Sequence, residues 1–95
     1  MTVLTGKIIY SSNAAASEFG NGISIVNVVT GAQYRLEGVA WFIWRELGNS
    51  QTVENLIKAV QEAYGILPDV SRQDVQQLLG ELVQEGLVAQ YEREK

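Results

Sequence analysis

The stretch Ile23–Leu47, ISIVNVVTGAQYRLEGVAWFIWREL, changes its period half-way along, and that change decides the fold. Ile23–Val29 is a β-prone run, Thr30-Gly31 supplies turn chemistry, and Ala32, Tyr34 and Leu36 then alternate against Gln33 and Arg35. A period of two on both sides of a turn predicts a β-hairpin whose second strand, Ala32–Leu36, has one apolar and one polar face. Such a sheet is covered by helices on one side only, and because a one-residue slip would turn the apolar set outward, its register is strongly specified. From Gly38 onward the period lengthens. Val39, Ala40, Ile43, Trp44 and Leu47 recur at spacings of three and four, which predicts a short helix over Gly38–Leu47 with Gly48 just past its end. On the same wheel Trp41 lies about 130° from the centre of that stripe and Phe42 on its flank, so the helix carries more aromatic surface than one contact uses.

Outward from this stretch, the pattern predicts strands before it and helices after it. Leu4–Tyr10 reads as a first strand, with Ile8 and Tyr10 on one face and Ile9 on the other. Ser11–Gly22 is small, polar and without a period, so it reads as a connecting loop closed by Asn21-Gly22, with Phe19 its only large apolar residue. Downstream, Thr52 is placed to cap a helix over Val53–Tyr64, whose Val53, Leu56, Ile57, Val60 and Tyr64 keep the helical period until Gly65. Pro68 argues against continuing that helix, and Ser71 with Asp74 has the spacing of a cap and a first-turn acid, predicting a third helix that runs to Glu85. Its apolar residues Val75, Leu78, Leu79, Leu82 and Val83 span about 140° of the wheel. Gly86 closes the helix, Leu87–Tyr91 follows as an extended tail, and Glu92–Lys95 is expected to fray.

Ninety-five residues with 46% hydrophobic content are enough for one small domain, residues 1–95, with one core and little spare structure for an enclosed active site. The chain has neither His nor Cys, which removes imidazole bases, thiol nucleophiles, Cys/His zinc sites and disulfides together. Its net charge of −4 is uneven. Residues 1–50 hold three cations and three anions, whereas residues 51–95 hold four cations and eight anions, so a polyphosphate or an anionic membrane would be repelled by the second half. The longest apolar run, Val39–Trp44, falls far below the roughly 20 residues that span a bilayer, and Met1–Lys7 lacks the plan of a signal peptide. A cytoplasmic protein without membrane contact is expected.

The carboxylates fall mainly on solvent faces of helices, whereas general acid–base work needs a desolvated pair beside a pocket. Ser71 suits a cap better than a nucleophile, because no His exists to activate it. Gly20, Gly22 and Gly31 lack the spacing of a phosphate-cradling loop. The order of strands then three helices also suits a winged helix-turn-helix DNA-binding protein, but Ser71–Gly86 carries one Arg against Asp74, Glu81 and Glu85, which cannot neutralise several phosphates. What remains is an interaction surface. A small sheet has two edges with unpaired N–H and C=O groups, and Ala32–Leu36, with no Pro and only Arg35 charged, is a usable one.

The residues Val29–Leu36, then Ala40, Ile43, Trp44 and Leu47, then Thr52, Val53, Glu54, Leu56 and Tyr64, then Asp74, Val75, Leu78, Leu79 and Leu82, and finally Gly86-Leu87-Val88 together resemble the PqqD-like family, over roughly Ile23 to Val88. The resemblance implies an α+β, winged helix-turn-helix-like domain, a three-stranded antiparallel sheet followed by three helices, that binds and does not catalyse. It implies that the leader segment of a ribosomally made precursor peptide is added as a strand along the third strand, in a groove between that strand and the third helix, and presented to modifying enzymes. Carried onto this chain, the strand is Ala32, Gln33, Tyr34, Arg35 and Leu36, and the helix is Gln73–Glu85. Tyr34, Val75, Leu78, Leu79 and Leu82 are the candidates for the groove, several of them shared with the core, with Arg35 and Asp74 at its rim. The Thr30–Tyr34 segment resembles the freestanding leader-binding proteins of lasso peptide biosynthesis, and the chain lacks the Pro-Glu-Arg-like segment found near there in PqqD itself. The expected partners are the leader, a leader peptidase or cyclase for which Trp41 is a candidate contact, and no nucleic acid; no cofactor is expected. The alternatives are a winged-helix nucleic-acid-binding protein and a PqqD-type chaperone of another peptide-modifying system.

Overall fold

The computed structural model describes residues 4–49 and 52–91. In chain order the elements are β1 (Lys7–Tyr10), β2 (Ala14–Phe19), β3 (Gly22–Asn27), β4 (Gln33–Glu37), α1 (Val39–Leu47), α2 (Val53–Tyr64), α3 (Pro68–Gln84) and β5 (Val88–Tyr91). Sheet residues come first and three helices follow, as the change of period predicts. The three-stranded antiparallel sheet has the order β2-β3-β4, and β1 pairs separately with β5 in a two-stranded ribbon.

The composition of the sheet corrects one expectation. Ser11–Gly22, read as a loop, contains β2, which pairs along its whole length with β3 from Ala14 opposite Asn27 to Phe19 opposite Gly22. Its Ala and Ser residues carry little strand preference of their own, and pairing with the β-branched β3 overrides that. The first strand is correspondingly shorter than Leu4–Tyr10 and joins the C-terminal tail, with Lys7 opposite Tyr91. Leu4 lies outside the strand, tied by its backbone to the side-chain amide of Gln76 through hydrogen bonds of 2.9 and 2.8 Å.

β3 also ends two residues earlier than Val29. The buried Asn27 side chain accepts hydrogen bonds from the amides of Val29 and Thr30 at 2.9 and 3.1 Å, an Asx turn that bends the chain out of the strand and leaves Val28 and Val29 exposed. Its amide nitrogen donates to the carbonyl of Glu85 at 3.0 Å, so this one side chain ties the β3–β4 turn to the end of α3. Gly86 is needed beside it: φ is +74°, and a Cβ there would sit 2.8 Å from the Asn27 amide nitrogen. Asn27→Ala is expected to cost about 2–3 kcal/mol in chemical denaturation, because it removes three part-buried hydrogen bonds that join the turn to the end of α3.

The helices pack on one face of the sheet. Ile23, Ile25 and Leu36 meet Ile43, Trp44 and Leu47 of α1, with α2 and α3 completing a single core. Thr52 caps α2 as predicted, accepting from the Asn55 amide at 3.1 Å, and Gly65 closes it in the left-handed region. α3 starts at Pro68 rather than Ser71, since Pro is well suited to a first helical position. Ser71 therefore does not cap; it is fully buried and donates its hydroxyl to the Ile57 carbonyl at 2.8 Å, joining α3 to α2. Gly48 lies past α1 with right-handed angles, so α1 ends without the left-handed glycine the pattern suggests. The expected fraying of Glu92–Lys95 lies outside the described residues.

Candidate functional site

Among the described residues β4 is an edge strand: it pairs with β3 on one side and with no strand on the other. Which of its backbone groups are free follows from one bond. The Asn27 amide donates to the Ala32 carbonyl at 2.8 Å, which makes 27 and 32 a hydrogen-bonded pair. Antiparallel ladders alternate bonded and non-bonded pairs, so Ile25 with Tyr34 and Ile23 with Leu36 are bonded pairs too. The N–H and C=O groups of Gln33, Arg35 and Glu37 accordingly point away from β3, a row of three residues on the open edge. Ala32 lies just before this strand, and its own amide donates to the Thr30 hydroxyl at 3.1 Å, so it adds no free donor.

The strand separates two faces. Tyr34 and Leu36 share the helix-covered face with Ile23 and Ile25, while Gln33, Arg35 and Glu37 share the other. Arg35, expected at the groove rim, is therefore on the opposite face, its guanidinium 4.3 Å from the centre of the Phe19 ring and 3.9 Å from the Glu37 carboxylate. With Gln33, Ser24 and Phe19 it lines an open hollow of about 580 Å³ on that outer face.

On the helix-covered side, β4 leads through Gly38 into α1, and a second cleft of about 260 Å³ opens between the start of α1 and α3. Val39, Ala40, Ile43 and Leu78 give it apolar walls, and Asp74, Gln77 and Glu81 give it a polar side. Asp74 and Leu78 line this cleft, which lies between α1 and α3, whereas the groove expected from the resemblance lies between the third strand and the third helix. Val75, Leu79 and Leu82 do not line the cleft: each is fully buried in the core, and Leu36 is 4% exposed, so these four side chains belong to the core and offer no free surface. Leu78 is half-buried, the one leucine of the third-helix stripe left between core and solvent. Gln77 and Glu81 were legible in principle, since they follow Asp74 at three and seven residues and so share its helix face. Val39, Ala40 and Ile43 were not, because their helical stripe carries the same signal whether it covers core or cleft.

Tyr34 lies on the helix-covered face of β4. Partial burial, and then the carboxylates of Glu85 and Glu81, hold its phenol above the ordinary tyrosine value, so it stays neutral and can donate a hydrogen bond. Trp41 is half-buried against the core with the Arg45 guanidinium 4.9 Å from its ring centre, so less of it is free than its place on the wheel suggests. On α3, Arg72 donates to Glu54 at 2.9 Å, and this hydrogen bond holds the Glu54 carboxyl below its ordinary value.

Among the described residues no group of three or more metal-ligating side chains exists, and no helix is long and apolar enough to cross a membrane. The family model described as Coenzyme PQQ synthesis protein D (PqqD) matches residues 22–88, from the start of β3 to the start of β5. The chain belongs to the PqqD family. Two solved structures share its PqqD fold. One, described as TbiB1 in complex with the TbiA(beta) leader peptide, superposes with a TM-score of 0.81 at 19% identity, over 90% of this chain and 99% of that one. The other, lasso peptide synthetase B1 complexed with the leader peptide, gives 0.78 at 13% identity, over 86% and 96%. No curated protein matches the chain. The PqqD match omits β2, which nonetheless completes the sheet on the side away from the open edge.

Proposed function

We propose that this PqqD-family chain binds the leader segment of a ribosomally synthesised precursor peptide as a fourth strand along β4 and presents it to a modifying enzyme, a lasso-type leader peptidase or cyclase. The observation that carries this reading is the row of outward-facing backbone groups at Gln33, Arg35 and Glu37 on a strand that leads directly into α1, whose first residues form the apolar wall of the cleft with α3. Strand addition uses those groups for affinity that tolerates sequence, while side chains pointing to the helix-covered face select for sequence. Two proteins of the same fold were solved with leader peptides, which supports the same ligand class here.

The reading is of a binding module and not a catalyst. The chain offers no imidazole or thiol, and the cleft's two carboxylates, Asp74 and Glu81, are solvent-exposed. A duplex-reading role is disfavoured by α3 itself, whose one Arg is engaged by Glu54 and whose exposed face is acidic. We place the protein in the cytoplasm, where precursor peptides are made.

Hydrogen exchange with and without the cognate leader tests the reading residue by residue. In the free protein the amides of Tyr34 and Leu36 are expected to exchange slowly and those of Gln33, Arg35 and Glu37 quickly; saturating leader should slow the second set. Affinity in the micromolar range or tighter is expected, and a leader that fails to saturate the folded protein at about 50 μM would overturn the proposal.

A further inference from the structure

We infer that the peptide segment lying in the cleft carries a Lys or Arg on its groove-facing side, two or four residues from the apolar side chain that meets Leu78. This rests on the strand-addition reading and adds to it the charge and spacing of the guest.

The cleft is not electrically neutral. Asp74, Leu78, Glu81 and Glu85 fall at positions i, i+4, i+7 and i+11, so two carboxylates of α3 and that of Glu85, just past its end, stand on one stripe. Glu81 and Glu85, four apart, repel each other, a small cost that no ion pair among the described residues relieves. Among the described residues the ion pairs are Arg72 with Glu54 and Arg35 with Glu37, and neither includes this stripe. Arg35 faces the other side of the sheet, and Arg45 covers Trp41. Among the described residues no ion pair engages this stripe, so it presents negative charge beside the apolar walls of the cleft, which is complementary to an extended peptide bearing a cation and mismatched to an acidic one.

Geometry sets the spacing. Tyr34 senses Glu85 and Glu81, while Val39 and Ala40, further along the chain, face Asp74 and Leu78, so the path from β4 into α1 runs opposite to α3. A guest beside β4 tracks the same path. Its groove-facing side chains recur every second residue, about 6.6 Å apart. Leu78 and Asp74 are four residues apart on the helix, about 6 Å along its axis. A guest residue over Leu78 thus places its next groove-facing neighbours near Asp74 on one side and Glu81 on the other, and an odd spacing would turn the cation to the outer face.

The test is selection of a phage-displayed random 12-residue peptide library on the full chain, followed by titration of the winning synthetic peptide. Expected is enrichment of Lys or Arg at an even spacing from an apolar residue. Asp74→Asn with Glu81→Gln should weaken the winner roughly ten-fold at low salt, each change alone roughly two- to five-fold, with circular dichroism unchanged. Glu62→Gln, an exposed acid on α2, should leave affinity unchanged. Replacing the peptide's basic residue by Gln should weaken binding to the parent chain and not to the double variant. Winners without a basic residue at even spacing, or equal affinity for parent and double variant, overturn the inference while leaving strand addition standing. Winners whose binding ignores Gln33→Pro, or no enrichment at all, overturn strand addition and the inference with it.

Discussion

Leu79→Ala is expected to destabilise the protein by about 2–5 kcal/mol, whereas Leu78→Ala should cost under about 1.5 kcal/mol and weaken leader binding instead. The two leucines are neighbours on α3 and chemically identical, so the contrast isolates placement. Leu79 is fully buried among residues of the sheet and of the other two helices, and deleting its side chain leaves a cavity in a core that a 95-residue chain cannot easily refill. Leu78 is half-buried in the wall of the cleft, where solvent or a guest can occupy the space vacated. Urea unfolding should shift its midpoint strongly for Leu79→Ala and little for Leu78→Ala; leader titration at a temperature where both remain folded should show the reverse. If the two variants lose stability equally, Leu78 belongs to the core and the cleft is not a site.

Gln33→Pro is expected to reduce leader affinity by at least about ten-fold while the domain stays folded. Proline removes the amide at the first residue of β4, and that amide faces the open edge, so no bond of the protein's own ladder is lost. Its ring would also stand where an added strand must approach. Tyr34→Pro is the matched control, because the Tyr34 amide belongs to the pair with Ile25, and its loss should break the β3–β4 ladder and lower the melting temperature. The variants thus separate edge from ladder at adjacent residues. Full affinity in a folded Gln33→Pro protein would place the peptide elsewhere.

Much of this was legible in the chain. The period change near Glu37, the Thr52 cap and the glycine after Tyr64 each produce their structure locally, because propensity, capping and burial pattern agree there. β2 was hidden since Ala14, Ala15, Ala16 and Ser17 have no intrinsic reason to extend; they do so because β3 offers a ladder. Asn27 looked like an ordinary strand residue, and its work at the junction of turn and helix exists only once Glu85, 58 residues away, is brought beside it. The half-burial of Leu78 against the full burial of Val75, Leu79 and Leu82 was hidden for a similar reason, for an apolar stripe records that a face is greasy and not which neighbour covers it.

By itself the sequence determined the class of elements, their order and the absence of imidazole and thiol side chains, since each depends on residue type and on spacing within a few positions. The tertiary structure alone decided which strand stays unpaired on one side, which leucines are spent in the core, and that two carboxylates of α3, Asp74 and Glu81, border a cleft with apolar walls. Those outcomes depend on packing between segments far apart in the chain, where burial against one neighbour excludes burial against another.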